Sequence, residues 1–277
     1  MRKLKLPMGV EIPVLGQGTW RMGEAAKERA AEVKALQLGI DAGMTLIDTA
    51  EMYGNGGAEE VTGAAIRGRR DAVFLVSKVL PSNAGRRQTV AACERSLKRL
   101  AVECIDLYLL HWRGAMPLAE TLAGFQDLVQ AGKIRSFGVS NFDLKDMAEW
   151  SALAGAAATQ TNQVLYNVGE RGIDFDLLPW CAARGVTVMA YSPLAQAAFR
   201  RSPGLERVAR RHDASVAQIM LAWCLRHPSV FAIPKSSHPE RVRENARAAE
   251  IVLTAEDLGA IDQDFPPPRQ ASSLAMI

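Results

Sequence analysis

Eight short apolar runs divide this chain at a nearly constant interval. They begin near Val14, Thr45, Val73, Cys104, Ile134, Thr159, Val186 and Val230, with start-to-start gaps of 31, 28, 31, 30, 25, 27 and 44 residues. Most gaps hold one helix with its two turns, so the cadence is that of repeated β/α units. Between Arg86 and Leu100, Val90, Cys93, Leu97 and Leu100 recur at steps of three and four, and Leu118, Leu122, Phe125, Leu128 and Val129 repeat the pattern in the next gap. The longest gap contains "SVAQIMLAWCLRH", where Ser215 and Gln218 form a capping box ahead of an apolar helix. One additional helix fills that length.

Runs that are apolar at both alternating positions need cover on both faces, as parallel strands do, and eight such units close into a barrel of about 250 residues with helices outside. The 277 residues are therefore read as one domain, a (β/α)8 TIM barrel spanning 1–277. An open, doubly wound sheet is the alternative, but the first run leads into "GQGTWRMG", without the G-x-G-x-x-G turn of dinucleotide-binding sheets. Residues 1–13 are read as a hairpin beneath the barrel floor, with the Met-Gly turn of "KLKLPMGVEIPVL" at its tip. Extra helices follow the last strand, and the prolines of "FPPPRQASSLAMI" stop the final one, leaving residues 266–277 as a tail.

Charge and cysteine content narrow the function classes. The 33 basic and 30 acidic side chains are scattered, giving a net +3 without the basic tract that nucleic acid requires. No stretch of 18 apolar residues spans a membrane, and the basic N-terminus lacks the apolar core of an export signal. Cys93, Cys104, Cys181 and Cys224 show no C-x-x-C spacing, and three lie on apolar periodic stretches, so reduced packing thiols and a cytoplasmic location are expected. His111, His212, His227 and His238 are dispersed, which calls for no metal.

The far ends of the eight runs carry Trp20, Asp48, Lys78, His111, Ser140 with Asn141, Gln163, Tyr191 with Ser192, and Lys235. In a parallel barrel these ends meet on one face, where barrel enzymes place their chemistry. An aspartate after a strand is ordinarily a helix cap and a lysine there ordinarily faces solvent, but their convergence on one rim asks for more. Tyr53 follows Asp48 by five residues. A phenol with a pKa of about 10 is a weak acid at neutral pH unless a cation stabilises its phenolate. Lys78, on the neighbouring strand end, is that cation, Asp48 its counterion, and His111 can orient a carbonyl or share its proton.

Asp48 and Tyr53 in "IDTAEMY", Lys78 in "VSKV" and His111 in "LLHW" resemble the catalytic tetrad of the aldo-keto reductases. The likeness runs from "GQGTW" to "IPKSSHPERVRENA". It implies a barrel that passes hydride from a nicotinamide to an aldehyde or ketone, with the tyrosine as acid. The polar groups of Ser140, Asn141 and Gln163 suit a nicotinamide carboxamide, and the resemblance makes Tyr191 the ring stacked on it. It extends cofactor contacts to Gly18, Thr19, Trp20 and Asp48 on one side, and to Ser192, Pro193, Leu194, Ile233, Pro234 and Ser237 on the other. Lys235, a serine and Arg241 near a helix start suit a ribose 2′-phosphate. The resemblance gives phosphate contacts to Lys235, Ser236 and Arg241 and adenine contacts to Glu244 and Asn245, so NADPH is expected over NADH. Arg243 and Arg247 are read as a solvated helix face.

Trp20, Met52, Tyr53, His111 and Trp112 should wall the carbonyl pocket. The loops "HWRGAMPLAE" and "SPLAQAAFRRSPG" are short, which favours small aldehydes or dicarbonyls such as methylglyoxal. The chain is expected to work as a monomer. Glu51, beside Tyr53, either biases the site against acidic substrates or is an exposed loop carboxylate. Two other readings stay open. A lysine at a barrel strand end is what a Schiff-base aldolase uses, with Lys235 and Arg241 holding a sugar phosphate. The resemblance also admits a slow NADPH-binding sensor subunit, as in members that accompany potassium channels.

Overall fold

A computed structural model of the protein describes residues 1–197 and 202–277, so the loop after the seventh predicted strand lies partly outside the described residues. Two antiparallel strands come first, β1 (Lys3–Lys5) and β2 (Glu11–Pro13), in the register Lys3 to Pro13. They flank the Met-Gly turn, and Gly9 has the left-handed φ of 88° that the turn needs. The turn packs at the N-terminal mouth of the sheet, where Met8 N–H donates to Gln160 Oε1 at 2.8 Å.

Eight parallel strands follow: β3 (Gln17–Gly18), β4 (Leu46–Asp48), β5 (Phe74–Val79), β6 (Ile105–Leu110), β7 (Ile134–Ser140), β8 (Thr161–Leu165), β9 (Thr187–Tyr191) and β10 (Val230–Ala232). Each pairs with its sequence neighbour. The sheet then closes on itself. Leu15 bridges Ala232 in parallel, Gly16 N–H donates to Ala232 O at 2.9 Å, and Gly18 N–H donates to Pro234 O at 3.1 Å. An open sheet is therefore ruled out. At this seam, a Cβ on Gly18 would stand 2.8 Å from Ile233 O, so only glycine lets the two backbones meet.

Helices α1 (Arg29–Asp41), α2 (Gly57–Ile66), α3 (Arg86–Leu100), α4 (Leu118–Gln130), α5 (Leu144–Ser151) and α6 (Leu177–Ala183) connect successive strands up to β9. Each lays an apolar stripe on the sheet. In α3, Cys93, Leu97 and Leu100 are buried as the spacing predicts, and each fully buried leucine contributes about 2 kcal/mol. Val129 is a correction: it is 41% exposed, because α4 turns Leu122, Phe125 and Leu128 inward and leaves the following position facing solvent.

The long gap holds two helices, α7 (Pro203–Arg211) and α8 (Val216–Cys224). The capping box forms, with Ser215 N–H donating to Gln218 Oε1 at 3.0 Å and Gln218 N–H to Ser215 Oγ at 3.2 Å. After β10 come α9 (Pro239–Arg247) and α10 (Ala255–Asp264). Ser202 Oγ and Gly204 N–H, at the start of α7, both donate to Asp264 Oδ2 at 2.7 Å, which ties α7 to α10. No helix among the described residues is long and apolar enough to cross a membrane. The four cysteines are free, three of them buried.

Candidate active site

The C-terminal rim of the barrel carries the polar groups, whereas the opposite end uses its charges for structure: there Asp106 accepts from Arg70, Arg135 and the Leu75 amide. On the rim, β4 ends in Asp48, which is 2% exposed, and β5 places Lys78 beside it, fully buried. Lys78 Nζ donates to Asp48 Oδ2 at 2.8 Å, to Thr49 O at 2.8 Å and to Tyr53 Oη at 3.1 Å. All three ammonium protons are used, which is how a buried lysine stays charged.

Tyr53 reaches this position because the chain turns sharply after β4. The residues that follow, Gly54, Asn55 and Gly56, have left-handed φ of 56°, 52° and 92°, a run that glycine and asparagine tolerate. That geometry is why the strand dissolves into "GNGG" before α2.

Electrostatics only partly follows the expectation. Burial pushes the Tyr53 hydroxyl up, Lys78 pulls it down and Asp48 opposes Lys78, and the net direction is above the usual value of 10.0. Lys78 thus favours the phenolate, as predicted, but desolvation by burial outweighs it. Burial lowers the Lys78 pKa, but Asp48 and Tyr53 outweigh it and the net shift is upward. Its amine is accordingly the opposite of a Schiff-base nucleophile. Burial, followed by Lys78, holds His111 well below 6.5, so its imidazole is neutral at physiological pH. His111 Nδ1 is buried without a hydrogen-bond partner. The Tyr53 ring lies edge-on to Trp20 and His111, with centroids 5.0 and 5.6 Å away.

A cleft of about 840 Å³ opens over this cluster, near the upper end of ligand-pocket volumes. Every residue expected to bind cofactor or substrate lines it, from Gly18, Thr19 and Trp20 around the rim to Glu244 and Asn245. Lys78 does not; it sits behind Tyr53. Gln163 is not at a strand end as expected but in the middle of β8, where its Nε2 donates to Asp48 Oδ1 at 2.8 Å. Lys235 likewise lies beyond β10 and not at its last position.

The polar groups along the cleft are braced. Ser140 Oγ and Asn141 N–H donate to Gln163 O at 3.0 and 2.8 Å, and Asn141 Nδ2 donates to His111 O at 3.2 Å. Tyr191 Oη donates to Asn141 Oδ1 at 3.0 Å, and burial pushes its hydroxyl to about 12. Asn141 and Ser192 have φ of 57° and 46°, left-handed strain on the order of 1 kcal/mol each, of the kind that collects at ligand sites. At the far end Lys235 and Arg241 are exposed and make no ion pair among the described residues. Arg243 and Arg247 face solvent, as predicted.

Sequence reasoning missed Arg21, Gln196, Ala217, His238, Met276 and Ile277, which also line the cleft. Arg21 and His238 adjoin recognised motifs, but the tail residues carry no local signal. The tail does reach the pocket. The reading of Glu51 as an exposed loop carboxylate is corrected: its side chain is only 7% exposed and does not line the cleft, with Oε1 accepting from Leu80 N–H at 2.7 Å and Asn83 Nδ2 at 2.9 Å.

The chain belongs to the aldo/keto reductase family, whose sequence profile matches residues 14–264. It is 49% identical over 273 residues to the methylglyoxal reductase YeaE of Escherichia coli (strain K12), covering 97% of this chain and 96% of that one. It is 37% identical over 262 residues to the glyoxal reductase of Bacillus subtilis (strain 168), covering 94% and 91%. An aldo-keto reductase from Klebsiella pneumoniae in complex with NADPH superposes with a TM-score of 0.96 at 49% identity over 100% of both chains. A Klebsiella pneumoniae structure with NADP and acetate superposes at 0.97, covering 99% of each.

Proposed function

We propose that this protein is an NADPH-dependent reductase of small aldehydes and dicarbonyls, methylglyoxal foremost, acting as one barrel domain over residues 1–277. The observation that carries the reading is the Tyr53–Lys78–Asp48 chain, with contacts of 3.1 and 2.8 Å, opening into a cleft whose far end holds Lys235 and Arg241, which make no ion pair among the described residues. The relatives named for methylglyoxal and glyoxal support the substrate class.

The residues present fit a dinucleotide. Tyr191 offers a ring beside Ser140 and Asn141, and Lys235 and Arg241, without an ion pair among the described residues, stand ready for a phosphate. NADPH, when bound, supplies the hydride that goes to the carbonyl carbon. The protein does the rest. Tyr53 Oη gives its proton to the carbonyl oxygen as negative charge develops there, and Lys78 stabilises the phenolate left behind. Asp48 keeps Lys78 charged, and Gln163, with its amide nitrogen held by Asp48, would have its oxygen left to accept from the carboxamide. His111, neutral, donates a hydrogen bond to the carbonyl oxygen without taking its charge. Trp20, Met52 and Trp112 exclude water around the acid. Lys235, Ser236 and Arg241 would hold the 2′-phosphate.

We read the protein as a monomer in the cytoplasm, where free buried thiols suit a reducing compartment. The test is NADPH oxidation with methylglyoxal by the native protein and by Tyr53→Phe. Turnover should fall about 10²- to 10⁴-fold in the variant while NADPH binding is kept. Full activity without the hydroxyl would refute the assignment.

A further inference from the structure

Pairing between β4 and β5 does not stop where β4 does. Thr49 N–H donates to Val76 O at 2.9 Å and Glu51 N–H to Lys78 O at 3.3 Å, which carries the ladder two steps past Asp48. The next donor on the β5 side is Leu80 N–H. A straight partner strand would offer it a backbone carbonyl. Here the chain has already turned away, with Tyr53 N–H donating to Ala50 O at 3.1 Å. The Glu51 carboxylate takes the missing place, its Oε1 accepting from Leu80 N–H at 2.7 Å and from Asn83 Nδ2 at 2.9 Å. Asn83 is anchored in turn, its carbonyl accepting from Thr89 Oγ1 on α3 at 3.1 Å. Arg95, half exposed, stands 3.8 Å from the other carboxylate oxygen.

We propose that Glu51 is a positioning residue for the reduction: its side chain continues the strand ladder and locks the turn bearing Tyr53 to the segment bearing Lys78. The inference rests on the proposed reductase function. Two segments meet at the 3.1 Å contact of Tyr53 with Lys78, and the backbone rung nearest to it, Glu51 N–H to Lys78 O, is long at 3.3 Å. Glu51 supplies the third rung: it stands two residues before the tyrosine and bonds Leu80, two residues after the lysine. What the rung needs is an acceptor oxygen at the right reach; a negative charge is secondary, since both close partners are N–H groups of neutral amides.

This requirement sets an unusual order among substitutions. Glu51→Gln keeps the reach and the acceptor but loses the charge. Glu51→Asp keeps the charge but is one methylene too short for Leu80. On the full-length protein, with methylglyoxal and saturating NADPH, Glu51→Gln should stay within about threefold of native kcat, whereas Glu51→Asp should lose about 10- to 100-fold, the scale of an ångström-level misplacement. NADPH affinity should change less than about twofold in both, because the strap lies away from the cleft. Backbone amide exchange at Leu80 should accelerate in Glu51→Asp and remain slow in Glu51→Gln. Arg95→Ala, which removes only the distant ion pair, should leave kcat unchanged. An active native protein in which Glu51→Asp matches native kcat, or in which Glu51→Gln is the slower of the two, overturns the positioning role alone. An inactive native protein overturns the reductase reading and this one with it.

Discussion

Replacing Lys78 by Met tests the buried triad through stability as well as rate. The substitution keeps the aliphatic length and removes the ammonium, leaving Asp48 with only the Gln163 amide, at 2.8 Å, from its former set of close side-chain partners. At the 2.8 Å separation of the pair, an effective dielectric of 20 gives an attraction of about 6 kcal/mol. The protein does not have to lose that much. Asp48 can protonate instead, and taking up a proton at pH 7 from a reference pKa of about 3.9 costs about 4 kcal/mol. The cheaper route sets the loss, so Lys78→Met should be destabilised by about 3 to 4 kcal/mol at pH 7 in urea unfolding. The sign of the pH effect follows. Burial already raises the Asp48 pKa, and without Lys78 it rises further, so the folded variant holds a proton that its unfolded chain lacks. Its stability should therefore increase on acidification, by about 1.4 kcal/mol between pH 7 and pH 6 relative to the native protein. Asp48→Asn combined with Lys78→Met should abolish that slope and recover part of the stability. A deficit that is the same at both pH values would refute the account of Asp48 as an uncompensated buried charge.

Arg241→Ala should weaken NADPH by about 10- to 100-fold in a fluorescence titration while NADH changes little, the worth of one charge-assisted phosphate contact; equal losses would remove the phosphate from this end of the cleft. The kcat for reduction should be level from about pH 6.5 to 9, because burial keeps His111 neutral above its lowered pKa and Tyr53 protonated below its raised one. An inflection near pH 6.5 that disappears in His111→Asn would contradict this. Ser215→Ala removes the side-chain acceptor for Gln218 N–H at the start of α8 and should lower stability by about 1 kcal/mol, or the midpoint of thermal unfolding by about 2 to 4 °C. No shift in a calorimetric scan would mean that α8 is held by its packing alone.

The barrel was legible because its strands are apolar on both alternating positions, which leaves little choice of cover. The tetrad was legible for a related reason: polar residues at the end of such runs have no bland explanation when several strands show them at once. What stayed hidden depends on geometry between segments. Glu51 looks like an exposed loop carboxylate until Leu80 N–H is seen to need an acceptor. Val129 fits a helical stripe in sequence but falls on its outer margin. Sequence shows the lysine beside Tyr53 but not the depth at which both are buried, which pushes the hydroxyl upward against the pull of Lys78. Met276 and Ile277 enter the cleft through the path of a tail with no periodic pattern to read.

The seam where Leu15 meets Ala232 joins the first and last strands of the barrel. On a ribosome the first of them waits through the synthesis of nearly the whole chain for its partner, so the cylinder is completed last and its loop-closure cost is high. The cleft runs directly over that late junction, with Gly18 and Thr19 on one bank and Ile233 to Lys235 on the other. A nucleotide lying across both banks is thus a staple as well as a reactant. At a concentration 100 times its Kd it adds about 2.7 kcal/mol to the closed form, so the cell's cofactor pool would help decide how much of the newly made protein stays shut.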